Sequence, residues 1–262
     1  MDPHSHARPQ EARITHLSLD ITVDMDRERI SGTARYAIAA APGAERILFD
    51  TDGLRIERVA VDGREAPFAL GDSSFLGRAL EVPIGSGAKE VAITYATGPQ
   101  ASALQWLKPQ QTAGKTAPFL FTQGQAILTR SWIPIQDSPG IRVTYDAKVR
   151  VPPGLMALMS AENPTAKSAD GAYTFRMEQP IPAYLIALAI GDIAFQPIGP
   201  RTGVYAEPSV VEKAAWEFAD MERMLETAEQ LYGPYRWGRY DVIVLPPSFP
   251  FGGMENPRLT FA

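Results

Sequence analysis

Two glycines, a methionine, a carboxylate and an amide stand in a row at Gly252-Gly253-Met254-Glu255-Asn256, and no other stretch of the chain is better equipped for chemistry. Glycine has no Cβ, so another backbone can approach Gly252 and Gly253 closely. The pair leads straight into Glu255 and Asn256, just before an apolar run, Leu259-Thr260-Phe261-Ala262, that reads as a strand. A carboxylate at such a loop-to-strand junction can accept a charge-assisted hydrogen bond from an ammonium group. The same residues also describe a tight turn whose Glu255 is merely solvated, and residue types alone leave both readings open.

Other chemistries find little support. The chain has three histidines, His4, His6 and His16, and no cysteine. That removes disulfides, thiolate metal sites and a cysteine nucleophile. No His-Glu-x-x-His pair, nucleophile elbow or phosphate-binding glycine loop occurs. His4-Ser5-His6 reads as part of a disordered polar tail, and His16 as the exposed start of a strand. No metal is therefore expected on these 262 residues. A net charge of −5 argues against nucleic acid as a partner. No run of 18 apolar residues occurs, so no membrane-spanning helix is expected. The N-terminus lacks an apolar secretory segment, and the chain reads as cytoplasmic, although a mature exported form would look the same.

What must position the motif is mostly β structure. Apolar residues make up 45% of the 262 and charged residues 21%, a composition that supports a buried core. Leu17, Leu19, Ile21 and Val23 alternate with polar residues, the period of a half-buried strand. Similar runs cover 33–40, 46–50, 54–61, 91–96, 141–151 and 173–177. Asp52-Gly53, Asp62-Gly63, Pro153-Gly154 and Asp170-Gly171 supply turns between them. The run 183–193 is more continuously apolar, so both its faces should be covered. Arg130 and Asp137 read as an internal ion pair, and Gln123 and Gln125 as neighbours on one strand face.

The texture changes near residue 198. Pro208 suits the first position of a helix. Val211, Ala214 or Ala215, Phe218, Met221, Leu225, Ala228 and Leu231 then recur at helical spacing, which predicts one long amphipathic helix stopped by Gly233-Pro234. A strand at 240–245 and the apolar run at 259–262 follow. The expected organisation is a disordered tail over 1–12, a β domain over 13–198, and the start of a second, α/β domain over 199–262. One helix and two strands cannot enclose a core, so that second domain reads as unfinished. Self-association through its uncovered apolar face is expected.

Gly252–Asn256 resembles the Gly-x-Met-Glu-Asn exopeptidase motif of the M1 zinc aminopeptidases. The flanking Pro246–Phe251 and the glycine at 253 are similar to the subgroup that contains leukotriene A4 hydrolase and aminopeptidase B. Further segments resemble the family in the same order: Phe121-Thr122-Gln123-Gly124-Gln125-Ala126, Gln136-Asp137-Ser138-Pro139, Ala157-Leu158-Met159-Ser160, the run 181–188, and Ile198-Gly199-Pro200-Arg201. Residues 1–120 are similar mainly in strand pattern.

The resemblance implies a saddle-shaped β domain followed by the first part of a thermolysin-like catalytic domain. It implies that Glu255 binds the α-amine of a peptide N-terminus, with Gln123 and Gln125 near the same amine. Gly252, Gly253 and Met254 would line the first side-chain pocket, beside Asn256. The family's zinc helix, third ligand and transition-state tyrosine lie beyond its exopeptidase motif. The resemblance thus implies zinc in a full-length metallo-aminopeptidase and none on this portion, which would be inactive without its missing C-terminal catalytic and helical domains. A non-catalytic peptide-binding or scaffold module with the same β domain is the competing expectation.

Overall fold

The structure, a computed structural model, describes residues 2–250 and 252–262. Phe251, part of the segment flanking the motif, lies outside the described residues, as does Met1. The fold is mostly β. Its strands, in chain order, are β1 (Ala12–Asp24), β2 (Arg29–Ala40), β3 (Arg46–Thr51), β4 (Arg55–Val61), β5 (Arg64–Ala66), β6 (Ala69–Leu70), β7 (Arg78–Pro83), β8 (Glu90–Ala96) and β9 (Leu104–Leu107). There follow β10 (Phe119–Thr122), β11 (Arg142–Arg150), β12 (Met156–Met159), β13 (Ala172–Pro182), β14 (Leu188–Gly191), β15 (Ala194–Pro197), β16 (Thr202–Ala206), β17 (Tyr240–Ile243) and β18 (Thr260–Phe261). Two helices, α1 (Val211–Glu217) and α2 (Met221–Tyr232), stand between β16 and β17.

Contacts gather into two compact units that interleave along the chain. One holds 1–105, 122–150 and 174–186; the other holds 106–121, 151–173 and 187–262. The second unit draws its segments together where the strands at 119–122, 156–159 and 188–191 pair into one sheet.

The first unit is organised on a seven-stranded sheet in the order β13-β11-β1-β2-β8-β4-β5. The expected alternation is realised in β1, where Leu17, Leu19, Ile21 and Val23 are all buried. β1 pairs antiparallel with β2 and parallel with β11, His16 facing Thr144. Asp62 and Gly63 take φ of 48° and 78°, the type I′ geometry that joins β4 to β5 as a tight hairpin.

Residues 2–11 differ from the expected disordered tail. Ser5 and Ala7 are buried. The Ser5 hydroxyl donates to Asp50 Oδ2 at 2.5 Å, and the His6 amide donates to Asp50 Oδ1 at 2.7 Å. Arg130 donates to the His4 carbonyl at 2.8 Å. A polar sequence is ordered here because a buried carboxylate and a buried guanidinium need its hydrogen bonds. Asp50 is fully buried, and Arg130 lies 3.7 Å from it and 3.3 Å from Asp137. The expected Arg130–Asp137 pair is present. Its second acid, Asp50, directly follows the apolar run Ile47-Leu48-Phe49.

The second unit carries two four-stranded sheets, β12-β14-β10-β9 and β15-β16-β17-β18. All of β14 is buried, which explains why the sequence around it is so continuously apolar. Glu207 is a buried carboxylate that accepts the backbone N–H of Ala113 at 2.7 Å and of Gly114 at 3.0 Å. The one long helix expected after 208 is bent into α1 and α2 by a turn at 218–220, where Met221 N–H bonds the Phe218 carbonyl. Pro208 lies in the turn before α1, whose first hydrogen bonds reach back to the Glu207 carbonyl. Val211 and Ala214 pack on Val204 and Ala206 of β16. Leu231, placed in the apolar stripe, is instead solvent-exposed. Arg201 ties α2 down, reaching Glu222 at 3.1 Å and Glu229 at 2.9 Å. Gly233 ends α2 with φ of 90°.

Candidate functional site

The motif is mounted on the edge of the β15-β16-β17-β18 sheet. β18 runs parallel to β17, with Val242 opposite Thr260 and Ile243 opposite Phe261. Outside β18 lies a single antiparallel bridge. Met254 N–H donates to the Phe261 carbonyl and Phe261 N–H to the Met254 carbonyl, each at 2.9 Å. A tight turn connects the two, closed by the Leu259 amide on the Asn256 carbonyl at 3.2 Å. Arg258 takes φ of 66° within it.

This bridge sorts the motif by face. Met254 and Asn256 are 2% and 3% exposed, whereas Glu255 between them points its carboxylate to solvent. The two glycines differ. A Cβ on Gly253 would sit 3.3 Å from the Phe261 carbonyl oxygen, while one on Gly252 would meet nothing within 4 Å. Only Gly253 is thus pressed against backbone. Asn256 Nδ2 is buried without a hydrogen-bond partner, so the motif retains one uncommitted donor beside an exposed acceptor. Nearby, the Arg258 guanidinium approaches Glu162 at 3.7 Å.

Gln123 and Gln125 do not share a strand face. β10 ends at Thr122. The Gln123 amide bonds the Ala103 carbonyl at 2.8 Å, and Gln125 is exposed in a turn closed by Leu128 N–H on the Gly124 carbonyl at 2.9 Å. The Gln125–Ala126 peptide bond is cis. Beyond the strand, Gly124 passes so close to its neighbours that no side chain would fit. A Cβ there would lie 2.6 Å from the Tyr184 carbonyl oxygen and 2.8 Å from Thr129 Oγ1. Gly252–Asn256 come together in the second unit, whereas Gln123 and Gln125 belong to the first.

The residues present do not fit a zinc centre. No three His, Asp or Glu side chains gather at one point among the described residues. The His16 imidazole is occupied by Thr144 Oγ1 at 2.7 Å and Asp146 Oδ2 at 2.8 Å. His4 and His6 belong to the N-terminal segment held by Asp50 and Arg130.

Residues 13–185 match the family model described as the peptidase M1 N-terminal domain. The chain belongs to the peptidase M1 family. Over 99% of its length this M1 chain is 43% identical to leukotriene A-4 hydrolase of Xenopus laevis, covering 45% of that protein. It is 48% identical to aminopeptidase B of Mus musculus over 74% of its length, covering 31% of that relative. The solved structure of native yeast LTA4 hydrolase matches it with a TM-score of 0.94 at 33% identity, over 100% of this chain and 42% of that one. The M1 chain therefore spans less than half the length of these relatives. The family read from Gly252–Asn256 and its companion segments is the one the comparisons give.

Proposed function

We propose that this chain is the N-terminal part of a zinc metallo-aminopeptidase that releases N-terminal residues from peptides, and that Glu255 receives the α-ammonium of the substrate. The carrying observation is the alternation at the motif: Met254 and Asn256 buried, Glu255 exposed, all fixed by the bridge to Phe261. A carboxylate held outward on a sheet edge suits an ammonium at the end of a peptide laid along that edge. An internal peptide bond offers no such charge, which gives exopeptidase selectivity. In this reading Gly252, Gly253 and Met254 line the first side-chain pocket beside Asn256. Residues 13–198 form the saddle domain, and 199–262 begin the catalytic domain. Zinc belongs to the longer enzyme and supplies the activated water there, while the portion described here is silent alone.

The test is Glu255→Gln in the complete enzyme, with matched peptides carrying free or acetylated N-termini. A hydrogen bond to a charged partner contributes about 1.5–3 kcal/mol. Solvent around an exposed carboxylate favours the lower end, so the expected loss in kcat/KM on free peptides is about tenfold. Acetylated peptides should hardly change, since they present no ammonium. Equal slowing of both substrates would refute the assignment.

A further inference from the structure

Arg258 sits in an unfavourable backbone conformation and in an unfavourable place for a charge. Asn256, Pro257, Arg258 and Leu259 form the turn closed by the Leu259 amide on the Asn256 carbonyl at 3.2 Å. Proline in the second position and φ of 66° in the third are the pattern of a type II turn, whose third position favours glycine or asparagine. An arginine is strained at that φ. Its guanidinium is also largely withdrawn from water. The side chain is 11% exposed, and Nε is buried without a hydrogen-bond partner. Glu162, 59% exposed, stands 3.7 Å away, too far for a hydrogen bond. A buried cation so thinly paired is costly, and backbone strain of this kind gathers at ligand clamps and active sites.

Where the side chain goes accounts for both costs. A Cβ on Gly238 would lie 3.8 Å from Arg258 Nη1 and 3.9 Å from its Cζ and Nη2. Three guanidinium atoms at nearly one distance mean that the group turns its flat face to Gly238, two residues before β17. Arg258 also acts on Asp241 of β17: burial pushes the Asp241 carboxyl up, and Arg239 first, then Arg258, draw it back. One side chain thus joins the motif's turn to the 238–241 segment and to Glu162. We propose that Arg258 is a positioning residue: by holding its turn against Gly238 and beside Glu162, it fixes the direction in which Glu255 presents its carboxylate to the substrate ammonium. The inference rests on the reading of Glu255 as the amine anchor. Arg258 acts through the turn that links the two ends of the Met254–Phe261 bridge, not by contact with the peptide.

The test measures KM and kcat of the complete enzyme on matched peptides with free and acetylated N-termini, for the parent, Arg258→Gly, Glu255→Gln and the double variant. Glycine accepts a positive φ without strain, so Arg258→Gly keeps the turn and removes the guanidinium. KM for free peptides should rise about three- to tenfold with kcat unchanged, the loss of part or all of one charged hydrogen bond. Acetylated peptides should be unaffected. In the Glu255→Gln background the same substitution should change almost nothing, because the group it positions has lost its charge. Arg258→Asn, which also tolerates this φ, should repeat the rise. A parental KM in that variant would trace the glycine result to a slackened backbone and overturn the proposal. Unchanged KM on free peptides, a fall in kcat on both peptides, or the same fold-change with and without the Glu255 charge would also overturn it. Equal slowing of both peptides by Glu255→Gln would refute the amine reading and this inference with it. A selective Glu255→Gln beside a neutral Arg258→Gly would refute this inference alone.

Discussion

Asp137 provides the sharpest test of the polar core of the first unit. Its carboxyl is 2% exposed and is pushed up to about 6 from the ordinary 3.8. Burial is the largest cause; Arg130 pulls the other way, and the second acid, Asp50, adds to the rise. A folded-state value above the unfolded one means that the native protein holds the proton more tightly. The stability from that proton is full below pH 3.8 and is lost as pH rises through 6. About two pH units at 1.36 kcal/mol each gives roughly 3 kcal/mol, most of it between pH 4 and 6. Asp137→Asn keeps an oxygen for the Arg130 backbone and side-chain donors, 3.1 and 3.3 Å away, and removes the titration. Urea unfolding of both proteins at pH 4 and pH 7.5 measures the difference. The variant should improve relative to the parent by about 2–3 kcal/mol at the higher pH. A gap that does not change with pH would show that Arg130 offsets burial completely. A gap that moves against the variant as pH rises would show that the ion pair wins outright, and the reasoning would be wrong.

Deleting residues 1–7 strips Asp50 of the Ser5 hydroxyl and the His6 amide and removes the His4 acceptor from Arg130. With about 2–4 kcal/mol lost from a buried charged cluster, Tm should fall by roughly 5–15 °C; an unchanged melt would make the segment a loose tail after all. Glu207→Ala leaves the amides of Ala113 and Gly114 without their acceptor. It should cost about 3 kcal/mol and open the 109–116 loop to protease, and resistance equal to the parent's would count against the clamp. Gly124→Ala forces a Cβ to within 2.6 Å of the Tyr184 carbonyl; a loss of about 1–3 kcal/mol is expected, and a neutral result in denaturant unfolding would mean the turn relaxes.

The sequence announced what short-range periodicity can announce. Alternation at Leu17–Val23 gave the face of β1, and Asp62-Gly63 gave a hairpin. The Glu255 turn was legible because Gly, Pro and an apolar run bracket it within a dozen residues. Long-range polar contacts were not legible. Nothing local to His4-Ser5-His6 says that a carboxylate at 50 and a guanidinium at 130 will order it. The bend at 218–220 leaves no mark in the sequence because apolar spacing continues through it: Phe218 and Met221 keep the helical rhythm while the backbone turns. Gln123 and Gln125 misled for a related reason. A two-residue spacing implies one strand face only while the strand lasts, and β10 stops at Thr122, before the close passage of Gly124 by Tyr184, sixty residues away.

The parallel pairing of β1 with β11 has a consequence for synthesis. His16 and Thr144 face each other across 128 residues, so β1 waits at the middle of its sheet with one side unmatched until β11 leaves the ribosome. At about 5–20 residues per second that wait lasts roughly 6–26 s, far longer than the microseconds in which the β1–β2 hairpin can form. During that interval the nascent chain carries an open row of amides and carbonyls next to Leu17, Leu19 and Ile21, a template for wrong partners. Slowed translation before residue 142 should lower the soluble yield of this protein more than the same pause placed after residue 182, when β13 has closed the sheet.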